Sequence, residues 1–150
     1  MQTITWTIER AQPADLGPIC ALLAASDLPT NGLAEALGHT LVARSGADLA
    51  GCVALEVYGA YALLRSLAVA TAYRGEGLGL QLSQAALGLA VQLGVTHVYL
   101  LTETAAGFFP KLGFRPVDRP QIPAEVQTAE EFTTLCPVSA LAMLVEVEGA

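Results

Sequence analysis

Residues 63–82 read Leu63-Leu-Arg-Ser-Leu-Ala-Val-Ala-Thr-Ala-Tyr-Arg74-Gly75-Glu76-Gly77-Leu78-Gly79-Leu-Gln-Leu82. An apolar strand runs into a loop with one arginine and three glycines at alternate positions, and an aliphatic helix follows at once. Helix N-termini carry unpaired N–H groups and the positive end of the helix dipole. Glycine lets such a backbone approach an anion closely and take positive φ. The loop therefore reads as a seat for a pyrophosphate. The plain alternative is an ordinary glycine-rich turn between strand and helix.

Two familiar phosphate motifs fail on spacing. A dinucleotide fingerprint begun at Gly75 needs Gly or Ala where Leu80 stands, and one begun at Gly77 needs it where Leu82 stands. A P-loop ends in Gly-Lys-Ser/Thr, which the chain lacks.

The rest of the chain bounds the answer. It has 150 residues, of which 53% are hydrophobic and 14% charged, so one ordered domain with a sizeable core is expected. A formal net charge of −7 argues against nucleic-acid binding, which needs a basic stripe. It does not argue against a phosphate held by backbone dipoles. No uncharged apolar run is long enough for a bilayer, so no membrane partner is expected. Residues 1–25 include Glu9, Arg10 and Asp15 and lack the layout of a signal peptide, so a cytoplasmic location is expected. Cys20, Cys52 and Cys136 are widely spaced and odd in number. They suggest neither a disulfide framework nor a metal site, and each reads as a small core residue in a reducing compartment.

Patterning predicts a first strand over 3–10, then a helix opened by Pro13 with Asp15 in its first turn and Ile19, Leu22 and Leu23 along one face. A loop covers 26–32, and a short helix lies near 32–38. Strands follow at 41–44, 49–57 and 61–70, with turns at Gly46 and Gly59. A helix over 78–93 places Leu78, Leu82, Ala85, Leu89 and Leu93 on one face, and Gly94 caps it. A buried strand at 97–102 precedes a short helix over 104–112 ending at Gly113, a strand at 114–117, a loop with one helical turn over 116–131, and a strand at 141–147. Strands 41–44, 49–57 and 61–70 read as an antiparallel meander. Strands 61–70 and 97–102 flank one crossover helix and should be parallel. The fold class is α/β, with a mixed, mostly antiparallel central sheet flanked by helices.

Arg74-Gly75-Glu76-Gly77-Leu78-Gly79 resembles the Gln/Arg-x-x-Gly-x-Gly/Ala acyl-CoA loop of the GNAT superfamily of N-acetyltransferases. Residues 100–117 resemble that family's second segment, Asn-x-x-Ala-x-x-Phe-Tyr-x-Lys-x-Gly-Phe, with Ala105, Phe108, Lys111, Gly113 and Phe114 in register. The element order also matches. The resemblance covers about the whole chain and implies a single GNAT domain over residues 1–150. It implies acetyl-CoA as co-substrate, no metal, and direct transfer of acetyl to an amine. It further implies a splayed parallel pair of strands at the cofactor site, where the backbone of Leu67, Ala68 and Val69 meets the pantetheine arm and acetyl group. Arg74, Gly75, Glu76, Gly77, Leu78 and Gly79 would hold the pyrophosphate. Thr102, Ala105, Phe108, Phe109 and Lys111 would complete the cofactor site. Thr102 replaces a frequent Asn but keeps a hydroxyl. Phe109 stands where many relatives carry a Tyr proposed to protonate the departing thiolate.

For a general base, Glu56 is the one acid in its strand, between Leu55 and Val57, and an acid in apolar company suits that work. Its plain alternative is a solvated glutamate or a partner for Arg65. Glu103 is the second candidate, and a water chain the third. Strand alternation puts Arg65 on the face of Leu63, Leu67 and Val69, which in the resembling family leads towards the acyl acceptor. A guanidinium there would clamp a carboxylate, with a salt bridge to Glu56 as the structural reading. The acceptor is then a small, amino-acid-like amine. Tyr58 and Ser139 are further candidates for contacting it.

A narrower resemblance, over Tyr58-Gly59, residues 63–69, 100–109 and 117–119, and most distinctively Leu135-Cys136-Pro137-Val-Ser139-Ala140, is to the arsenic-resistance branch of that superfamily, with amino-acid N-acetyltransferases close by. It implies an acceptor such as arsinothricin. The other readings are a non-catalytic acyl-CoA-binding module, a thiol-based binder of trivalent arsenic and a protein or histone acetyltransferase. A homodimer built on the last strand and the Pro-rich segment is a further expectation.

Overall fold

The computed structural model describes residues 5–102, 107–129 and 140–148. Its strands are β1 (Thr7–Arg10), β2 (Thr40–Ser45), β3 (Asp48–Tyr58), β4 (Tyr61–Val69), β5 (His97–Thr102), β6 (Arg115–Pro116) and β7 (Leu141–Glu146). Its α-helices are α1 (Leu16–Ala25), α2 (Leu33–Ala36), α3 (Leu78–Gln92) and α4 (Ala124–Gln127). The strands form one sheet of seven in the order β1-β2-β3-β4-β5-β7-β6. The pairings β1–β2, β2–β3, β5–β7 and β6–β7 are antiparallel, and β4–β5 is parallel. The mixed, mostly antiparallel sheet expected from the patterning is thus present. Among the described residues, no helix is long and apolar enough to cross a membrane.

The chain falls into two compact units, residues 5–55 with 66–86, and residues 56–65 with 87–148. In the first, α1 sets Ile19 and Leu23 against Val42, Cys52, Ala54 and Ala68, with Leu33 of α2 completing the core. Alternation on β2 and β3 and the helical spacing of Ile19 and Leu23 supply these faces. In the second, Leu63, Tyr99, Ala142 and Leu144 pack with Ile122, Val126 and Ala129.

A charge cluster ties the first unit together. The buried Asp15 accepts the Gln12 backbone N–H at 2.7 Å and an Arg44 N–H, while Arg44 Nε donates to Glu9. The hydrogen bond from Arg44 holds the Asp15 carboxyl below the usual carboxylate range, against the opposing pull of burial. The stabilisation is therefore complete above the ordinary aspartate pKa, about 3.9. It is lost as pH falls through the lower native value. Asp15→Asn should be less stable than wild type at pH 6, and chemical denaturation should show the gap closing towards pH 2. A gap that stays constant over that range would remove the carboxylate from the account.

Several boundaries differ from the patterning. The first strand spans Thr7–Arg10, with pairing to β2 starting at Thr7 opposite Arg44, and Trp6 before it turns its indole N–H onto Gln81 Oε1 at 2.8 Å; residues 3 and 4 lie outside the described residues. The buried stripe of α3 runs through Leu78, Leu82, Ala86, Leu89 and Ala90, while Ala85 and Leu93 are only half-buried. The helix ends as expected: Gly94 takes φ 80°, its N–H reaches Val91 O at 3.1 Å, and Val95 N–H reaches Ala90 O at 2.9 Å. Residues 109–112 form a 3-10 turn in place of an α-helix, with Pro110 near its start and Gly113 closing it at φ 94°. The strand expected over 114–117 shortens to Arg115–Pro116: Phe114 N–H turns back onto Phe109 O at 3.4 Å, while Val117 N–H still reaches Ala142 O at 3.0 Å. The expected final strand ends at Glu146 and lies between β5 and β6.

Candidate active site

The glycine loop belongs to the first unit. β4 ends at Val69, a 3-10 turn covers Thr71–Tyr73, and α3 begins at Leu78. Arg74, Gly75, Glu76 and Gly77 are exposed, whereas Leu78 is buried and pins the helix start. Gly75 and Gly77 take φ 82° and 83°, conformations that side chains with a Cβ rarely adopt. Gln81 N–H closes the first helical bond on Gly77 O at 3.1 Å. The loop's base is fastened twice, by Arg74 Nε on Val69 O at 2.9 Å and by Tyr73 Oη on Asp48 Oδ2 at 3.0 Å.

The strand feeding the loop is irregular at Ser66, a non-glycine residue at φ 60°. Strict alternation along β4 ends there, so the expected common face of Arg65 with Leu67 and Val69 does not follow from residue parity. Downstream, the even-numbered backbone groups face β3. Cys52 Sγ–H donates to Ser66 O at 3.3 Å, and Ala70 N–H donates to Ala50 O at 2.8 Å. Ala68 O lies 2.9 Å from where a Cβ on Gly51 would stand. The Ala68 backbone is therefore directed at β3. Alternation leaves Leu67 and Val69 directed away from β3. Burial pushes the Cys52 thiol up to about 12, with the Ala68 N–H acting in the opposite sense. Cys52 is thus a protonated core residue. Among the described residues, no cluster of His, Cys, Asp or Glu could hold a metal ion.

A second cluster lies in the other unit. Glu56 and Tyr58, two residues apart on β3, share a face, and Tyr58 Oη donates to Glu56 Oε1 at 2.9 Å. Arg65 Nη1 donates to Glu56 Oε2 at 3.3 Å. The two partners differ in exposure: the Arg65 side chain is 1% exposed and that of Glu56 19%. The salt bridge weighed for Arg65 is therefore formed. Parallel pairing of β4 with β5 covers Tyr61–Leu63 and His97–Tyr99. Thr102, at the end of β5, is half-buried. His97 starts β5, with its Nδ1 2.8 Å from Thr96 Oγ1.

Phe109 is buried in a ring stack, edge-to-face with Phe108 at 5.1 Å and with Phe114 at 5.6 Å. Lys111 is exposed on the same 3-10 turn. Glu103, Ala105 and Ser139 lie outside the described residues, as does Cys136. Sequence reasoning missed Ser66 and Gly51. An isolated glycine inside a strand is a signal of close backbone approach, so Gly51 was findable. Serine gives no such signal.

Comparison with known proteins fits this architecture. The family model described as acetyltransferase (GNAT) domain matches residues 36–116. An uncharacterised N-acetyltransferase of Chlorobaculum tepidum is 30% identical over 93 residues, which cover 61% of this chain and 59% of the relative's length. Among solved structures, Rv2747 from Mycobacterium tuberculosis in complex with CoA and NLQ has a TM-score of 0.79 at 24% identity, covering 94% of this chain and 99% of that one. N-acetylglutamate synthase from Neisseria gonorrhoeae, complexed with coenzyme A and N-acetyl-glutamate, has a TM-score of 0.82 at 17% identity, covering 98% of this chain and 36% of that one. With the strand–glycine loop–helix unit in place, and with more than half of its residues matched by the family model, the chain belongs to the GNAT acetyltransferase family.

Proposed function

We propose that the protein moves acetyl from acetyl-CoA directly to the amine of a small, amino-acid-like acceptor, with residues 1–150 acting as one cytoplasmic domain. The observation that carries this reading is the exposed turn over residues 74–77, with Gly75 and Gly77 in positive φ at the start of α3. Such a turn suits the pyrophosphate of CoA. Rv2747 and the N-acetylglutamate synthase, both solved with CoA, support the choice of cofactor. The synthase's bound N-acetyl-glutamate supports an amino acid as acceptor class.

Direct transfer requires two reactants held in line, and positioning supplies much of the rate. Leu67, whose backbone groups turn away from β3, and the N–H of Val69, whose carbonyl accepts from Arg74 Nε, are suited to pair with the pantetheine arm and with the acetyl oxygen as charge builds. Glu56 takes the proton that the amine must lose. Arg65 receives the acceptor's carboxylate. Phe109 has no proton to give, so CoA leaves as thiolate and takes its proton from water or another group; with a thiol pKa of about 8.5 an unprotonated departure costs little. The resemblance around Cys136 extends the acceptor class to arsenical amino acids such as arsinothricin, whose α-carboxylate and arsinate are both anions for Arg65.

Thiol release from acetyl-CoA tests the reading, with common amino acids, phosphinothricin, arsinothricin and a polyamine as acceptors. Turnover on an amino acid or arsinothricin is expected, with kcat/KM at least about tenfold lower in Arg65→Ala, the scale of one charge-assisted hydrogen bond. Release with the polyamine alone, or an unaffected Arg65→Ala enzyme, overturns the clamp. Acetyl-CoA binding without release on any acceptor favours a non-catalytic module.

A further inference from the structure

We propose that Cys52 is a positioning residue for acetyl transfer: its thiol ties both peptides that flank Leu67 to β3, and so aims the Leu67 N–H and carbonyl at the acyl donor. The inference rests on the acetyltransferase reading above and adds the device that holds the strand beside the thioester.

One sulfur meets β4 at two points. Cys52 Sγ–H donates to Ser66 O at 3.3 Å, and the Ala68 N–H is directed at the same sulfur. A thiol has one hydrogen to give and lone pairs to accept with, so the two contacts are compatible. Each contact fixes more than the atom it touches. A peptide unit is planar and trans, so its N–H and C=O point in opposite directions. Ser66 O lies on the β3 side, and the Leu67 N–H of the same peptide therefore points away from β3. Ala68 N–H lies on the β3 side as well, and the Leu67 carbonyl therefore also points away. The thiol thus sets the direction of both polar groups of Leu67.

The strand is irregular at this place. Ser66 stands at φ 60°, a conformation that persists only where the surroundings impose it. An irregularity in a ladder leaves backbone groups that a side chain can take up. Ser66 has a further interaction besides, and what the thiol adds is a tie between two successive peptides through one atom. Gly51 lets the same segment come close, with Ala68 O 2.9 Å from where its Cβ would stand. Cys52 itself is fully buried among Ile19, Leu23, Leu33 and Val42, a pocket that valine would fill equally well if packing were its only role. The aim of Leu67 matters because charge builds on the acetyl oxygen as the amine attacks, and a group misplaced by about 1 Å can cost about 100-fold in rate.

Matched variants of the intact protein separate tying from packing. Cys52→Val keeps an apolar side chain of similar size and has no donor. Cys52→Ser keeps a donor and an acceptor but brings a hydroxyl into an apolar pocket. Each is assayed with varied acetyl-CoA on an amine that wild type acetylates, with a melting curve to confirm folding. Cys52→Val is expected to lower kcat about tenfold or more while KM for acetyl-CoA stays within about threefold, because the glycine turn is untouched. Cys52→Ser is expected to keep kcat within about threefold of wild type. A packing role ranks valine above serine, and the tie ranks serine above valine. Wild-type kcat in Cys52→Val, a lower kcat in Cys52→Ser than in Cys52→Val, or a loss carried by KM alone overturns the proposal. Should Cys52→Ser fail to fold, Cys52→Thr takes its place, with valine's shape and a hydroxyl. Should neither fold, the kcat and KM of Cys52→Val decide. Wild type without turnover on any amine ends the acetyltransferase reading and this proposal with it, whereas an active wild type beside an unaffected Cys52→Val ends this proposal alone.

Discussion

Valine at Gly75 and Gly77 together is expected to raise the KM for acetyl-CoA by about 30-fold or more, at the cost of only a few degrees of melting temperature. Both positions stand at φ 82–83° with open space around the missing Cβ, so the penalty is conformational and not a clash. A side chain in the left-handed region costs about 1–2 kcal/mol per residue, and a β-branched one fares worst. An exposed turn relieves that strain by rotating its peptides, which turns the N–H groups away from the proposed place of the CoA phosphates. About 2–4 kcal/mol over two sites, at 1.4 kcal/mol per tenfold, gives the expected rise. Steady-state kinetics with varied acetyl-CoA, beside a melting curve, checks it. A large loss of melting temperature with unchanged KM would make the loop a folding element and nothing more.

Gly51→Ala should damage the fold instead. The added Cβ would stand 2.8 Å from Leu82 Cδ1 and 2.9 Å from Ala68 O. The leucine methyl can rotate aside, but the carbonyl belongs to β4, which is held to β3 by Ala70 N–H on Ala50 O at 2.8 Å. Overpacking of this kind costs about 1–3 kcal/mol. For a domain of this size that is a fall of about 3–10 °C in melting temperature. Because the strand displaced is the one feeding the glycine loop, acetyl-CoA affinity should weaken as well. A variant that melts with wild type would show that β4 yields freely at Ala68.

Local features were the legible ones. Loop chemistry at 74–79, the capping glycine at 94, the parallel partnership of β4 and β5 and the order of elements are written in spacing and residue type. Features set by distant partners were not. The placement of β7 beside β5 depends on pairing His97 with Glu146 and Thr102 with Leu141, which no local pattern announces. The Asp15–Arg44–Glu9 cluster joins three elements through one guanidinium. Ser66 holds a backbone conformation that serine does not prefer, so only its surroundings can impose it. The same irregularity limited the reading of Arg65, because parity along a strand holds only while the strand is regular. Of the site, the strand–glycine turn–helix unit was readable from residues alone, and the Glu56–Arg65 contact was named only as one of two alternatives.

The position of β7 also bears on how the chain folds as it is made. Its six residues, Leu141–Glu146, fill the gap between β5 and β6 and carry the whole antiparallel ladder of β5 on that side. A nascent chain that has emerged only as far as α4 holds everything described in the first unit, yet leaves His97–Thr102 with an open, strongly apolar edge. Bare edges of that kind are templates for intermolecular pairing, and non-local strand pairing is slow. Until residue 146 has been made, that edge stays open to intermolecular pairing.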